Sequence, residues 1–139
     1  MAERPVFVDT GYFVALLNKR DELHASAVSL AQSWQKGARR AVTTDAVLIE
    51  LGNFFARSPV RGVAAGAIRQ VRAADGFVVV ATTSTLLDRA TTRYAAHQDK
   101  SWSLTDCLSM EVMLDVGCRE AATPDHHFQQ AGFVALMHV

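Results

Sequence analysis

Four carboxylates occupy positions in this sequence at which an acidic side chain is costly. Asp9 directly follows an apolar run, and Asp125 lies between a predicted strand and the short turn "HHFQQ". Asp106 and Glu50 belong to predicted helices, where they fall beside apolar side chains. A buried ionised carboxylate without compensation costs several kcal/mol. Each of the four therefore needs hydrogen-bond donors, an ion-pair partner or a metal ion.

The helical register makes Asp106 the clearest of these positions. It lies four and seven residues before Met110 and Met113, so the three side chains share one face of a helix. Glu111 and Asp115 lie on the polar face, where another acid would be solvated. The apolar face is expected to include Cys107, Leu114 and Val116 as well.

Glu50 lies at the edge of another apolar stripe, between Val47 and Phe54. Asp45 is expected to be the N-cap of this helix. The side chains expected to face inward are Val47, Leu48, Leu51, Phe54 and Phe55. The other acids considered lie on polar faces, in turns or in connections, and are expected to be solvated: Asp21, Glu22, Asp75, Asp88, Asp99, Glu111 and Asp115.

Structural explanations exist for three of the four acids. Asp9 and Asp125 could cap the helices that follow them. Ser103 and Asp106 have the spacing of a capping box, with the acid at the third helical position. Glu50 has no capping role, so helix capping does not account for the whole set.

Convergence of the four acids on one pocket predicts a metal site. Carboxylates about 4 Å apart repel by a few kcal/mol per pair at an effective dielectric near 20, so a cluster of them calls for a cation. Oxygen ligands favour Mg²⁺ or Mn²⁺, and no Cys/His set in the sequence is spaced suitably for zinc. Such a metal activates water and neutralises the leaving oxygen of a phosphodiester.

Three further side chains are candidates for assisting that hydrolysis. The hydroxyl of Thr10 or Thr105 could orient the attacking water. His127 could transfer a proton or bind phosphate, although a surface or packing role is the alternative. Signatures of competing chemistries are missing from the sequence: it has no P-loop, no dinucleotide glycine fingerprint and no Gly-x-Ser-x-Gly elbow. An aspartyl phosphatase would carry a second aspartate where this chain has Gly11.

Strands and helices alternate along the chain, which predicts an α/β sandwich with a mostly parallel sheet and right-handed crossovers. Sites in such sheets form beyond the carboxyl ends of the strands. The predicted strands are "PVFVD", "AVTT", "DGFVVVAT", "REAAT" and "FVALM". The predicted helices are "TGYFVALLN", a segment marked by Leu23, Ala27, Leu30 and Trp34, "DAVLIELGNFFA", residues 63–73, a segment marked by Leu86, Leu87, Ala90 and Tyr94, and residues 103–116.

The length of 139 residues predicts a single domain over residues 1–139. Fourteen basic and fourteen acidic side chains balance, so net charge does not indicate a nucleic-acid partner. The arginines of the segment 57–72 are expected to form a solvated face.

Cys107 and Cys118 are expected to be buried, reduced thiols. No apolar run has the length of a membrane span and the start lacks signal-peptide character, so a cytoplasmic location is expected.

Four segments in order resemble the PIN domains, and more narrowly the VapC-type ribonuclease toxins of prokaryotic toxin–antitoxin pairs. They cover nearly the whole chain: "VFVDTGYFVALLN", "TTDAVLIELGN", "SWSLTDCLSM" and "AATPDHHFQQAGFVAL". The resemblance implies a three-layer α/β/α fold and endonucleolytic cleavage of RNA. It also implies a homodimer and a small cognate antitoxin that covers the active site. The implied Mg²⁺ or Mn²⁺ ligands are Asp9, Glu50, Asp106 and Asp125.

Two functional hypotheses follow. The first is a metal-dependent ribonuclease held inactive by a protein partner. The second is an inactive PIN-like module that binds RNA or protein, in which the acids only receive basic side chains. A structure-specific DNA nuclease of the same broad fold would need helical clamps and a longer chain. Intact acids at all four positions favour the enzyme.

Overall fold

The computed structural model describes residues 3–138. Within that range, five parallel strands form one sheet, and seven helices cover both of its sides. The strands are β1 (Val6–Val8), β2 (Ala41–Thr44), β3 (Phe77–Val80), β4 (Glu120–Ala122) and β5 (Val134–Ala135). The helices are α1 (Thr10–Leu17), α2 (His24–Gly37), α3 (Asp45–Phe54), α4 (Arg61–Ala73), α5 (Ser84–Ala96), α6 (Leu104–Val116) and α7 (His126–Gln130). The predicted α/β class with a parallel sheet is confirmed.

The strand order β3-β2-β1-β4-β5 creates a crevice beside β1. The chain leaves β1 towards β2 and β3, then returns across the sheet to β4 and β5. β1 therefore pairs with both β2 and β4, and the direction of the connections reverses between β1 and β4. Ligands of open parallel sheets bind at such a reversal, beyond the carboxyl ends of the strands. Asp9 follows β1 and Asp125 follows β4, so the fold brings two of the predicted acids to this place.

The core lies on both faces of the central strand. β1 is completely buried, and the ring of Phe7 lies 6.5 Å from that of Phe128 on α7. Met110 and Met113 of α6 are also completely buried, as the register of Asp106 predicted. Burial of side chains of this size contributes roughly 1.5–3 kcal/mol each, so α6 and α7 are held firmly against the sheet.

The end of α6 differs from the prediction, since Leu114 and Val116 are exposed. Residues 114–116 are exposed together, because the final turn of the helix projects beyond the core. α5 shows a related difference. Its predicted apolar stripe is buried at Leu86 and Ala90, whereas Leu87 and Tyr94 are exposed.

The start of α3 also differs from the prediction. Thr44, the last residue of β2, is the N-cap, and its hydroxyl accepts a hydrogen bond from the amide of Val47. Asp45 is the first helical residue. Its carboxylate instead accepts hydrogen bonds from the amide and hydroxyl of Thr82, which ties the loop after β3 to α3.

Glu111 is not the solvated charge that the helical pattern predicted. Its carboxylate accepts hydrogen bonds from Arg89 and Arg93 of α5, and its side chain is only 13% exposed. Asp115 pairs with the same Arg89 through two bonds of 2.8 Å. The acids of this face therefore join α5 to α6.

Both cysteines are buried free thiols, as expected. Among residues 3–138, no helix has both the length and the apolarity needed to cross a membrane.

We predict that Gly11→Ala destabilises the protein, because Gly11 of α1 packs directly against Pro124. A Cβ atom at Gly11 would lie 2.6 Å from Pro124 Cδ, and a proline ring is tied to the backbone. The loop after β4 would therefore have to move, at a cost of roughly 1–3 kcal/mol. Urea unfolding followed by circular dichroism measures this loss.

The matched control is Gly66→Ala in α4, where an added Cβ meets no atom within 4 Å. Alanine is the better helix former by about 1 kcal/mol, so this variant is expected to equal or exceed the wild type in stability. Unchanged stability of Gly11→Ala would show that the loop after β4 is not fixed by this contact.

Candidate active site

The four predicted acids line one cleft of about 310 Å³ at the carboxyl ends of β1 and β4. They are Asp9, Glu50, Asp106 and Asp125. A larger cleft of about 760 Å³ lies between α3, α4 and β3. The smaller one is the candidate active site, because it is there that carboxylates converge and one of them has a strongly shifted pKa.

Asp9 is the most constrained of the four. It stands in the N-cap position of α1, yet its side chain makes no capping hydrogen bond. It is 7% exposed, and its Oδ2 accepts a hydrogen bond of 2.8 Å from the hydroxyl of Thr123. The pKa of Asp9 is raised to about 7, mainly by burial. The charges of Asp106 and Glu50 add to this rise, while hydrogen bonds from Thr123 and the Thr10 backbone oppose it. A positive charge in the cleft would therefore favour the ionised form of Asp9.

Asp106 combines the structural and the chemical explanations. The capping box is present: Ser103 Oγ accepts from the Asp106 amide, and Asp106 Oδ2 accepts from the Ser103 amide. All hydrogen bonds to this carboxylate from residues 3–138 go to Oδ2, which leaves Oδ1 for another ligand. Capping therefore fixes the orientation of Asp106 without using both of its oxygens.

Asp125 likewise caps a helix while lining the cleft. Its Oδ1 accepts a hydrogen bond of 2.9 Å from the amide of His127 at the start of α7. Its own amide donates to the Thr123 hydroxyl at 3.1 Å, and that hydroxyl donates to Asp9. Thr123 thus connects the two acids that follow β1 and β4.

Glu50 reaches the cleft from the edge of α3. The hydroxyl of Thr10 donates to Glu50 Oε1 at 2.6 Å, so Thr10 orients this carboxylate. Phe54 lies one helical turn further on and shares this edge, which is why it is 62% exposed instead of buried as predicted. Thr105 does not line this cleft. It lies in a neighbouring one between α3 and α6, beside Ala46 and Leu108.

His127 bridges two of the acids. Its Nδ1 lies 3.0 Å from Asp106 Oδ2 and 3.1 Å from Asp125 Oδ1. Its side chain is 19% exposed, so this is not a surface histidine. His126 Nδ1 lies 3.8 Å from the same oxygen of Asp125, and the potential ligand atoms of Asp125, His126 and His127 all lie within 4.8 Å of one another. The sequence showed no Cys/His set spaced for zinc, and it gave no sign that Asp125 would join the two adjacent histidines in one group.

Lysine and arginine do not neutralise this site. Among residues 3–138, the only basic side chains with a nitrogen within 4 Å of these four carboxylates are His126 and His127, while the lysine and arginine pairs join other acids. Two further polar side chains of the cleft were not predicted as site residues. Thr123 carries no sequence signal beyond its place at a strand end, and Asp21, expected in solvent, also lines the cleft.

Comparison with known proteins identifies the family. The sequence matches the PIN domain model over residues 6–134. The chain belongs to the PIN domain family. This confirms the resemblance found in the sequence.

Two relatives of this PIN domain, from Mycobacterium tuberculosis strains CDC 1551/Oshkosh and ATCC 25618/H37Rv, carry the name 23S rRNA-specific endonuclease VapC20. Each is 31% identical over 131 residues, which is 94% of this chain and 97% of the relative. The crystal structure of M. tuberculosis VapC20, described as a Sarcin-Ricin loop cleaving toxin, superposes with a TM-score of 0.84. It shares 28% sequence identity and covers 96% of this chain and 99% of its own.

We predict that Asp9 makes the metal-free protein less stable as the pH rises. The folded-state pKa of about 7 lies above the ordinary aspartate pKa of 3.8, so the folded protein binds the proton more tightly than the unfolded chain. Stability therefore falls between about pH 4 and pH 7, by roughly 2–4 kcal/mol. Asp9→Asn lacks this group, so its stability relative to wild type is expected to increase over that interval. Urea unfolding in chelator at several pH values measures the difference.

Asp88→Asn is the control, because Asp88 is an exposed carboxylate on α5. Its stability should follow that of the wild type across the pH range. A constant difference between Asp9→Asn and wild type from pH 4 to pH 8 would contradict the raised pKa.

Proposed function

We propose that this PIN domain is an endoribonuclease that uses Mg²⁺ or Mn²⁺ to hydrolyse RNA phosphodiester bonds, and that it is the toxin of a toxin–antitoxin pair. One observation carries the proposal: four carboxylates line a single cleft without lysine or arginine partners among the described residues, and the most buried of them has a pKa of about 7. Such a cleft is suited to a divalent cation.

The donor set fits a hard metal ion. Asp9, Glu50, Asp106 and Asp125 would hold it through carboxylate oxygens, the ligands that Mg²⁺ and Mn²⁺ prefer. When bound, the ion would supply Lewis acidity towards a phosphodiester and lower the pKa of water.

The side chains around the acids have distinct roles in this proposal. Thr10 holds Glu50 and Thr123 holds Asp9, each through one short hydrogen bond, so two acids are oriented before substrate binds. His127 holds Asp106 and Asp125 together through Nδ1. Its imidazole also places a group that can transfer protons beside the reacting phosphate. The cleft position of Thr10, and the separate position of Thr105, favour Thr10 as the hydroxyl that contributes to the site.

RNA is favoured as the substrate by the relatives and by Phe54. VapC20 is named as an endonuclease specific for 23S rRNA, and its similarity extends over 94% of this chain, so ribosomal RNA is the first substrate to test. Phe54 presents an exposed ring to the acidic cleft, and its ring contacts the buried Phe55 edge-on at 5.0 Å. A fixed aromatic ring beside a phosphodiester site can stack on an unpaired base.

Protein partners are part of the proposal as well. An antitoxin and a second copy of the chain would cover apolar surface that the monomer exposes. Ile49, Leu87 and Leu104 line one cleft beside the acids and are 64%, 42% and 39% exposed. The alternative function is an inactive module that binds RNA or protein, in which basic side chains of a partner neutralise the acids. Metal-dependent cleavage separates the two.

We expect Asp106→Asn to lower RNA cleavage by at least about 100-fold with Mg²⁺ or Mn²⁺. The amide removes a charge from the cluster but keeps an oxygen that can accept from the Ser103 amide, so the capping box and the fold should persist. Cleavage of a labelled 23S rRNA fragment, with circular dichroism of the same samples, tests this. Asp88→Asn, an exposed acid outside the cleft, should cleave like wild type. Full activity of Asp106→Asn, or activity in chelator, would support a metal-independent function.

We expect Phe54→Ala to raise KM for a single-stranded RNA while leaving kcat nearly unchanged. Loss of one base–aromatic stack weakens binding by about 1–3 kcal/mol, which corresponds to a roughly 5- to 150-fold increase in KM. Phe54→Trp retains a stacking surface and Phe54→Leu only an apolar one. Steady-state cleavage by the three variants is the measurement. A Phe54→Leu variant with wild-type KM would exclude stacking.

A further inference from the structure

One corner of the acidic cleft contains nitrogen as well as oxygen donors. It lies where β4 leads into α7, and it is formed by Asp125, His126 and His127. His127 Nδ1 lies 3.1 Å from Asp125 Oδ1, and His126 Nδ1 lies 3.8 Å from that oxygen. The two imidazole rings are 4.7 Å apart. Asp106 Oδ2 lies 3.0 Å from His127 Nδ1, but it lies outside this group of three.

These distances suit a small transition-metal ion. In a tetrahedral site with bonds of about 2.0–2.1 Å, neighbouring ligand atoms are about 3.3 Å apart. The separations at this corner lie on either side of that value. His126 is 70% exposed, so its ring can adjust towards an ion, while the more buried His127 supplies a fixed donor.

The donor types distinguish this corner from the rest of the cleft. Imidazole nitrogen is a good ligand for Zn²⁺ and related ions and a poor one for Mg²⁺, which prefers oxygen. The Asp9 and Glu50 side of the cleft offers carboxylates, whereas the α7 side offers an Asp–His–His set. The same cleft thus presents two chemically different environments that share Asp125.

We propose that Asp125, His126 and His127 bind a transition-metal ion of the zinc class, and that this ion inhibits the enzyme. The ion would replace the hydrogen bond between His127 Nδ1 and Asp106 and would lie between His127 Nδ1 and Asp125 Oδ1, which are 3.1 Å apart. Asp125 Oδ1 would then be committed to the corner and withdrawn from the oxygen-ligand site that the proposed reaction uses. Metal binding is independent of the proposed function, whereas inhibition rests on it.

Cobalt(II) is the probe for the binding step, because four-coordinate Co²⁺ with nitrogen ligands absorbs visible light far more strongly than hydrated Co²⁺. The full chain is titrated as wild type, as His126→Ala and as His97→Gln. His97 is the matched control: it lies on the α5 side, where its Nδ1 contacts the carbonyl of Arg93. The wild type and His97→Gln should develop the four-coordinate spectrum, which Zn²⁺ but not excess Mg²⁺ abolishes. His126→Ala should bind Co²⁺ at least tenfold more weakly.

Inhibition is then measured as the Zn²⁺ concentration that halves RNA cleavage at fixed Mg²⁺. His126→Ala should need at least tenfold more Zn²⁺, with unchanged cleavage in Mg²⁺ alone. The proposal is overturned if wild-type protein gives no four-coordinate spectrum, if His126→Ala binds Co²⁺ as tightly as wild type, or if Zn²⁺ inhibits both equally. A protein that binds Co²⁺ through His126 but cleaves no RNA would retain the metal site and refute the proposed function instead.

Discussion

Burial of the Asp9 carboxylate at the junction of β1 and β4 is the constraint on which the rest of the site depends. Its pKa of about 7 means that, near neutral pH, ionisation competes with protonation inside the folded protein. One hydrogen bond from Thr123 does not offset the loss of solvent, and Asp106 and Glu50 add negative charge. A cation in the cleft would offset this repulsion and favour the ionised form of Asp9. The same buried carboxylate therefore limits the stability of the metal-free fold and favours the proposed metal chemistry.

Structural and chemical roles coincide in several of these side chains. Asp106 and Asp125 each cap a helix, so the capping interpretation is correct for both, and capping holds their carboxylates at the mouth of the cleft. One carboxylate can both cap a helix and bind a ligand, because it has two oxygens and several lone pairs. Neutral hydroxyl donors from Thr10 and Thr123 fix the other two acids without cancelling their charge. The result is a rigid anionic cleft whose charge remains available to a ligand.

Local periodicity predicted much of this arrangement, and long-range contacts account for what it missed. Asp106 is four residues from Met110, and Glu50 is three residues from Val47. Side chains at these spacings share one helical face, so the local sequence alone placed both acids beside inward-facing residues. The contact of Thr123 with Asp9 joins residues 114 positions apart and leaves no such pattern. Phe54 was assigned to the core because periodicity does not show that α3 ends at the cleft. Thr105 neighbours Asp106 in sequence but lines a different cleft, because successive helical side chains point in different directions.

Calorimetric titration of Mn²⁺ into the metal-free protein and into Asp9→Asn at neutral pH tests the central claim most directly. Asp9 lies outside the Asp–His–His corner, so its replacement reports on the carboxylate cluster alone. The account predicts that wild-type protein binds Mn²⁺ and that Asp9→Asn, still folded, binds it at least tenfold more weakly. Equal Mn²⁺ binding by both proteins, or none by a folded wild type, would contradict the claim that these acids form a metal site.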